Sequence, residues 1–112
     1  MRFYKIDGQV VISDKALSIG EELIANTVDA AQEKHVPVIS QLGNVVMVRV
    51  GSVEHPFLDA HYIEWIVIIT ESGFQMKWLK PGMTPMAEFV VNEKVVAAYE
   101  YCNLHGLWKA EV

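Results

Sequence analysis

Between Val36 and Val112 the chain breaks into short apolar runs separated by turn residues every eight to twelve positions or so, and this punctuation leaves little room for anything except an antiparallel β protein. Val36 to Ile39, Asn44 to Val50, Tyr62 to Thr70, Phe74 to Lys80, Met86 to Asn92, Lys94 to Tyr101 and Leu107 to Val112 read as seven strands. Several are rich in β-branched and aromatic side chains, which suit a pleated, half-buried surface. Gly43, Gly51, Ser72-Gly73, Pro81-Gly82, Asn92, and Asn103 with Gly106 separate them. Seven short strands in this span predict an all-β domain, an immunoglobulin-like seven-stranded antiparallel β-sandwich. In the sixth candidate, KVVAAYEY, the positions of Val95, Ala98 and Tyr99 would also suit one face of a helix; its length and the turn after it favour a strand.

Ahead of the sandwich, Phe3 to Ile6, the pair Asp7-Gly8, and Gln9 to Ile12 predict a hairpin, because Asp-Gly tolerates the positive φ values of a type I′ turn. Asp14 to Lys34 is polar, contains alanines and shows no strong period, so it reads as a linker with room for a turn or two of helix. The expected organisation is a small hairpin and linker over residues 1–26 and a main domain over residues 27–112.

With 112 residues, about half of them apolar, the chain can bury one core without disulfide staples. Its single cysteine excludes an internal disulfide and any all-cysteine metal site, and a lone thiol suits a reducing compartment. MRFYKIDGQ is not a charged-then-apolar leader, and no apolar run reaches the length of a membrane span, so a soluble, cytoplasmic protein is expected. The formal charge of −5, with lysines scattered, argues against nucleic acid as a partner, since phosphate binding needs a clustered basic face.

Every histidine and the only cysteine fall in four short stretches: EKHVP (Glu33 to Pro37), EHP (Glu54 to Pro56), AHYIEW (Ala60 to Trp65) and CNLHG (Cys102 to Gly106). Three lie where a loop meets a predicted strand, a place from which a rigid scaffold can aim side chains into one site. Imidazoles with one soft thiolate form a transition-metal ligand set. Two residues between Cys102 and His105 allow both to face one ion, with the amides of Leu104 and His105 free to point at the sulfur. Taken singly, each histidine is more often a hydrogen-bonded structural group, Cys102 a small buried hydrophobe, Glu33-Lys34 a solvated charge pair and EHP an ordinary turn. Composition and spacing thus lead to a metal site of His and Cys with the metal left open.

The strings NTVDAAQEKHVPVI, VRVGSVEHP, HYIEWI and AYEYCNLHGLWKAEV, in that order, resemble the superoxide reductase domain of desulfoferrodoxins and neelaredoxins over roughly Asn26 to Val112. The resemblance implies one mononuclear non-heme iron bound by His35, His55, His61, Cys102 and His105. It implies one-electron reduction of superoxide to hydrogen peroxide, with rubredoxin or a similar small carrier as electron donor and a dimer or tetramer as the assembly. Five protein ligands leave one octahedral position open for a small anion. The family pattern gives that position to the Glu33 carboxylate once product has left, and Lys34, beside His35, is expected to attract the anion.

Two departures stand out. Phe57 occupies the place after His-Pro where relatives often carry Met. Residues 3–12, FYKIDGQVVI, look like a shortened remnant of the four-cysteine, rubredoxin-like iron domain of desulfoferrodoxins, with Tyr4-Lys5 kept and every cysteine gone. A cupredoxin-type electron carrier, the first alternative, needs an axial methionine soon after its last histidine, and no methionine follows Met86. A non-catalytic immunoglobulin-like interaction module, the second, predicts no metal at all.

Overall fold

The computed structural model describes residues 1–28, 35–50 and 62–112. Ten strands are present among them: β1 (Arg2–Ile6), β2 (Gln9–Ser13), β3 (Glu21–Glu22), β4 (Pro37–Leu42), β5 (Val45–Val50), β6 (Ile63–Thr70), β7 (Phe74–Trp78), β8 (Met86–Val90), β9 (Val95–Cys102) and β10 (Gly106–Glu111). The last seven form two antiparallel sheets, one ordered β10-β9-β6-β7 and the other β4-β5-β8. This is the expected seven-stranded sandwich. The hairpins β4-β5 and β9-β10 each stay within one sheet, and β8 returns from β7 to pair with β5.

Alternation along the strands builds the core between the sheets. Val46, Val48 and Val50 of β5, Ile63, Ile66 and Ile68 of β6, Ala87 and Phe89 of β8, and Val95, Ala98 and Cys102 of β9 bury their side chains in one cluster. Strand β6 keeps both Ile63 and Ile66 in that cluster through a register shift against β9: Ile63 faces Cys102, whereas Trp65 already faces Tyr101. Glu64 is the extra residue. A bulge of this kind reverses the side-chain phase downstream and re-aims its neighbours, and here it sits directly opposite Cys102.

The N-terminal segment is a second layer. Asp7 (φ 50°) and Gly8 (φ 77°) close the β1-β2 hairpin in the left-handed conformation that a type I′ turn requires. Strand β1 also pairs with β3, giving a three-stranded sheet ordered β2-β1-β3. Phe3 then seals the outer face of the larger sandwich sheet against Trp65, Val67, Ala97, Tyr99, Tyr101 and Leu107. Its ring stacks on Trp65 at 5.8 Å and meets Tyr99 at 4.5 Å. Gly20 lets the chain turn back at close quarters, with φ 76° and Lys5 O only 2.8 Å from where a Cβ would stand.

The described part of the stretch read as a linker carries a short strand. Residues 14–28 hold the short strand β3 and a parallel bridge from Asn26 to Trp108, with no helix; residues 29–34 lie outside the described part. The pairing of β3 is made by backbone groups while both glutamate side chains stay exposed, so no apolar alternation marks it. Among the described residues, no helix is long and apolar enough to cross a membrane.

Candidate metal centre

Strand β9 ends at Cys102, whose register partner in β10 is Gly106. The residues between them form a tight connection, and Gly106 takes the left-handed conformation it needs (φ 82°). Cys102 lies on the core-facing side of β9, fully buried, while His105 stands exposed on the connection. His35 arrives from elsewhere in the chain, two residues ahead of β4, and is 1% exposed.

These three side chains converge. The Nε2 of His35 is 3.2 Å from Nδ1 of His105, and Sγ of Cys102 is 3.8 Å from the same Nδ1. One ligand atom from each lies within 4.8 Å of the other two. Metal bonds of about 2.0–2.1 Å to imidazole and about 2.3 Å to thiolate place ligand atoms roughly 3–4.5 Å apart around one ion. The separations of 3.2 and 3.8 Å fall in that range, so the donor set and its spacing suit a single transition metal.

Of the remaining predicted site residues, Glu33, Lys34, His55 and His61 lie outside the described residues, as does Phe57. Tyr62, which follows His61, is described and is held by the ligand connection: its N–H donates to Asn103 Oδ1 (2.9 Å), and its carbonyl accepts from Asn103 N (3.2 Å). Asn103 therefore ties the Cys102–His105 connection to the start of β6. Trp108 makes a second tie, stacking on His35 with ring centroids 4.7 Å apart and 18° between planes while donating from Nε1 to the carbonyl of His105 (3.2 Å). Neither residue type signals a metal site by itself. Asn103 looks like a turn residue, and Trp108 like one more apolar strand position; the available signal was their placement inside and just after the Cys-x-x-His connection.

On the outer face of β10, the Lys109 ammonium lies 2.7 Å from the Glu111 carboxylate and 5.6 Å from the Tyr99 ring centre. The bond to Glu111 holds Lys109 above the ordinary lysine value, and the same bond holds Glu111 below the ordinary carboxylate value. Lys5 is likewise raised, chiefly by its 3.1 Å hydrogen bond to the hydroxyl of Tyr101. Both lysines brace the sheet from the side opposite Cys102.

The desulfoferrodoxin family profile matches residues 27–111. The chain belongs to the desulfoferrodoxin family. A desulfoferrodoxin of Clostridium acetobutylicum is 50% identical over 91 residues, which span 81% of this chain and 72% of that protein. Among solved structures, the superoxide reductase from Treponema pallidum superposes with a TM-score of 0.84 at 34% identity, covering 99% of both chains. The superoxide reductase (1Fe-SOR) from Giardia intestinalis gives a TM-score of 0.62 at 37% identity, over 72% of this chain and 98% of that one. The Treponema likeness spans the N-terminal sheet together with the sandwich, since only 1% of this chain falls outside it.

Proposed function

We propose that the chain is a superoxide reductase, which reduces superoxide by one electron to hydrogen peroxide at a mononuclear non-heme iron. The observation that carries this reading is the convergence of His35, Cys102 and His105, with ligand atoms within 4.8 Å, in a chain of the desulfoferrodoxin family. His55 and His61 complete the proposed ligand set. When bound, ferrous iron supplies the electron that reduces superoxide.

The residues supply the rest. Cys102, buried on the core side of β9, brings a soft, strongly donating thiolate that favours release of electron density towards the substrate. His35 and His105 hold the metal from two separate parts of the chain. Lys34 would draw in the anion, and the Glu33 carboxylate would be available as a further ligand to the oxidised iron. The overall charge of −5 does not help an anion approach, but distant exposed charges are screened beyond about 8–10 Å at physiological salt, so a neighbouring ammonium dominates.

Residues 1–26 are a vestigial hairpin and linker in which residues 3–12 are the shortened remnant of a second iron domain without its cysteines, and residues 27–112 are the iron-binding domain. Rubredoxin or a similar small carrier donates the electron, a dimer or tetramer is the working assembly, and a reducing cytoplasm suits a chain with one cysteine. Metal analysis and a visible spectrum of freshly purified protein test the proposal. One iron per chain with a thiolate-to-iron band in the oxidised form supports it. Copper with an intense blue band would favour an electron carrier, and absence of any tightly bound transition metal after anaerobic iron loading would leave an interaction module.

A further inference from the structure

Trp108 is 7% exposed, yet it belongs to neither of the two apolar clusters that make up the core. It contacts both described site histidines. One indole face lies against His35 (4.7 Å, 18°), and Nε1–H donates to the His105 carbonyl. The two imidazoles meet edge-on, 4.9 Å apart and at 77°. His35 and His105 are 70 positions apart in sequence, so no local geometry sets one ring against the other. Trp108 touches both.

The backbone that carries the indole is held on each side. Asn26 donates from its backbone to the carbonyl of Leu107 (2.9 Å), accepts from the N–H of Lys109 (2.9 Å), and adds a side-chain bond from Nδ2 to the Leu107 carbonyl (3.3 Å). On the other edge of β10, Trp108 is in register with Glu100 of β9. An indole carried on a strand anchored in this way, and stacked on His35, limits rotation of His35 about its Cβ–Cγ bond, because turning the imidazole out of plane drives it into the indole. The Nε1–H bond meanwhile holds down the backbone that carries His105.

We infer that Trp108 is a positioning residue of the metal centre, fixing the direction in which His35 presents Nε2 relative to His105 Nδ1. The inference rests on the metal-site reading of His35, Cys102 and His105. A ligand ring held before metal arrives loses less freedom on binding, and residues that orient metal-bound histidines typically change metal affinity 10–100-fold when altered.

The test uses Co2+ as the probe, with affinity measured by chelator competition and the thiolate-to-cobalt absorption recorded for the full-length parent, Trp108→Phe and Trp108→Leu. Phenylalanine keeps a stacking ring and loses the N–H donor; leucine loses both. The expected result is roughly 10-fold weaker binding for Trp108→Phe and about 100-fold weaker for Trp108→Leu, each with a shifted absorption band. Thermal unfolding of the metal-free proteins is followed in parallel. Lower melting temperatures with Co2+ affinity within about two-fold of the parent would make Trp108 a purely structural residue and overturn the inference. Should Trp108→Leu fail to fold, the affinity and band of Trp108→Phe decide alone. A parent protein that binds no Co2+ and shows no thiolate band would instead overturn the metal-site reading itself, and the inference with it.

Discussion

Asn103 and Tyr62 hold each other by two hydrogen bonds, 2.9 Å from the Tyr62 N–H to the Asn103 side chain and 3.2 Å from the Asn103 N–H to the Tyr62 carbonyl. The clamp joins the connection that bears Cys102 and His105 to the residue just before β6. It also sits beside the Glu64 bulge that sets Ile63 opposite Cys102. Loss of the side-chain acceptor in Asn103→Ala should cost about 1–3 kcal/mol. Asn103→Asp, which keeps an acceptor oxygen, should recover part of that. Denaturant midpoints at an unchanged slope would measure both; an alanine variant as stable as the parent would show that the clamp contributes nothing.

Cys102→Ser should abolish the thiolate-to-iron absorption and the reductase activity. The far-ultraviolet spectrum of the β-sandwich should be unchanged, because the strands pack through an apolar cluster in which Cys102 is one small member. Placing a hydroxyl at a fully buried position costs on the order of 1–3 kcal/mol, less than the usual stability of a domain this size. Retained activity would rule out the thiolate as the electron-releasing ligand. Joint loss of fold and metal would make the site structural.

Lys34→Met should slow the second-order reaction of the ferrous protein with superoxide by roughly 10-fold or more, within the range that electrostatic steering supplies, and flatten its dependence on ionic strength. Pulse radiolysis across a salt series measures both. Equal rates and equal salt slopes would mean that Lys34 is only a solvated partner of Glu33.

Much of the fold is legible in the sequence because its signals are local. Asp7-Gly8 takes the turn that its chemistry dictates, and the predicted strands match β4 to β10 to within a few residues at their ends. The helix-like look of KVVAAYEY has a physical cause. Both faces of β9 are buried, Ala98, Glu100 and Cys102 inward and Ala97, Tyr99 and Tyr101 under the N-terminal sheet, so the polar alternation that marks a strand is missing. Longer-range features left no such trace. The bulge at Glu64 depends on the partner strand, β3 is held by backbone pairing and an exposed ion pair from Glu22 to Arg2, and the stack of Trp108 on His35 joins residues with no sequence periodicity in common. At the site, residue types pointed to a His and Cys metal centre, whereas the ties made by Asn103 and Trp108 emerge only once the chain is folded.

A superoxide reductase differs from a dismutase in product stoichiometry, which tests the proposed activity most directly. Ferrous protein kept reduced by an external donor and exposed to a known amount of superoxide should yield one hydrogen peroxide per superoxide and no dioxygen. One hydrogen peroxide and one dioxygen per two superoxide, with no donor consumed, would identify a dismutase and contradict the account.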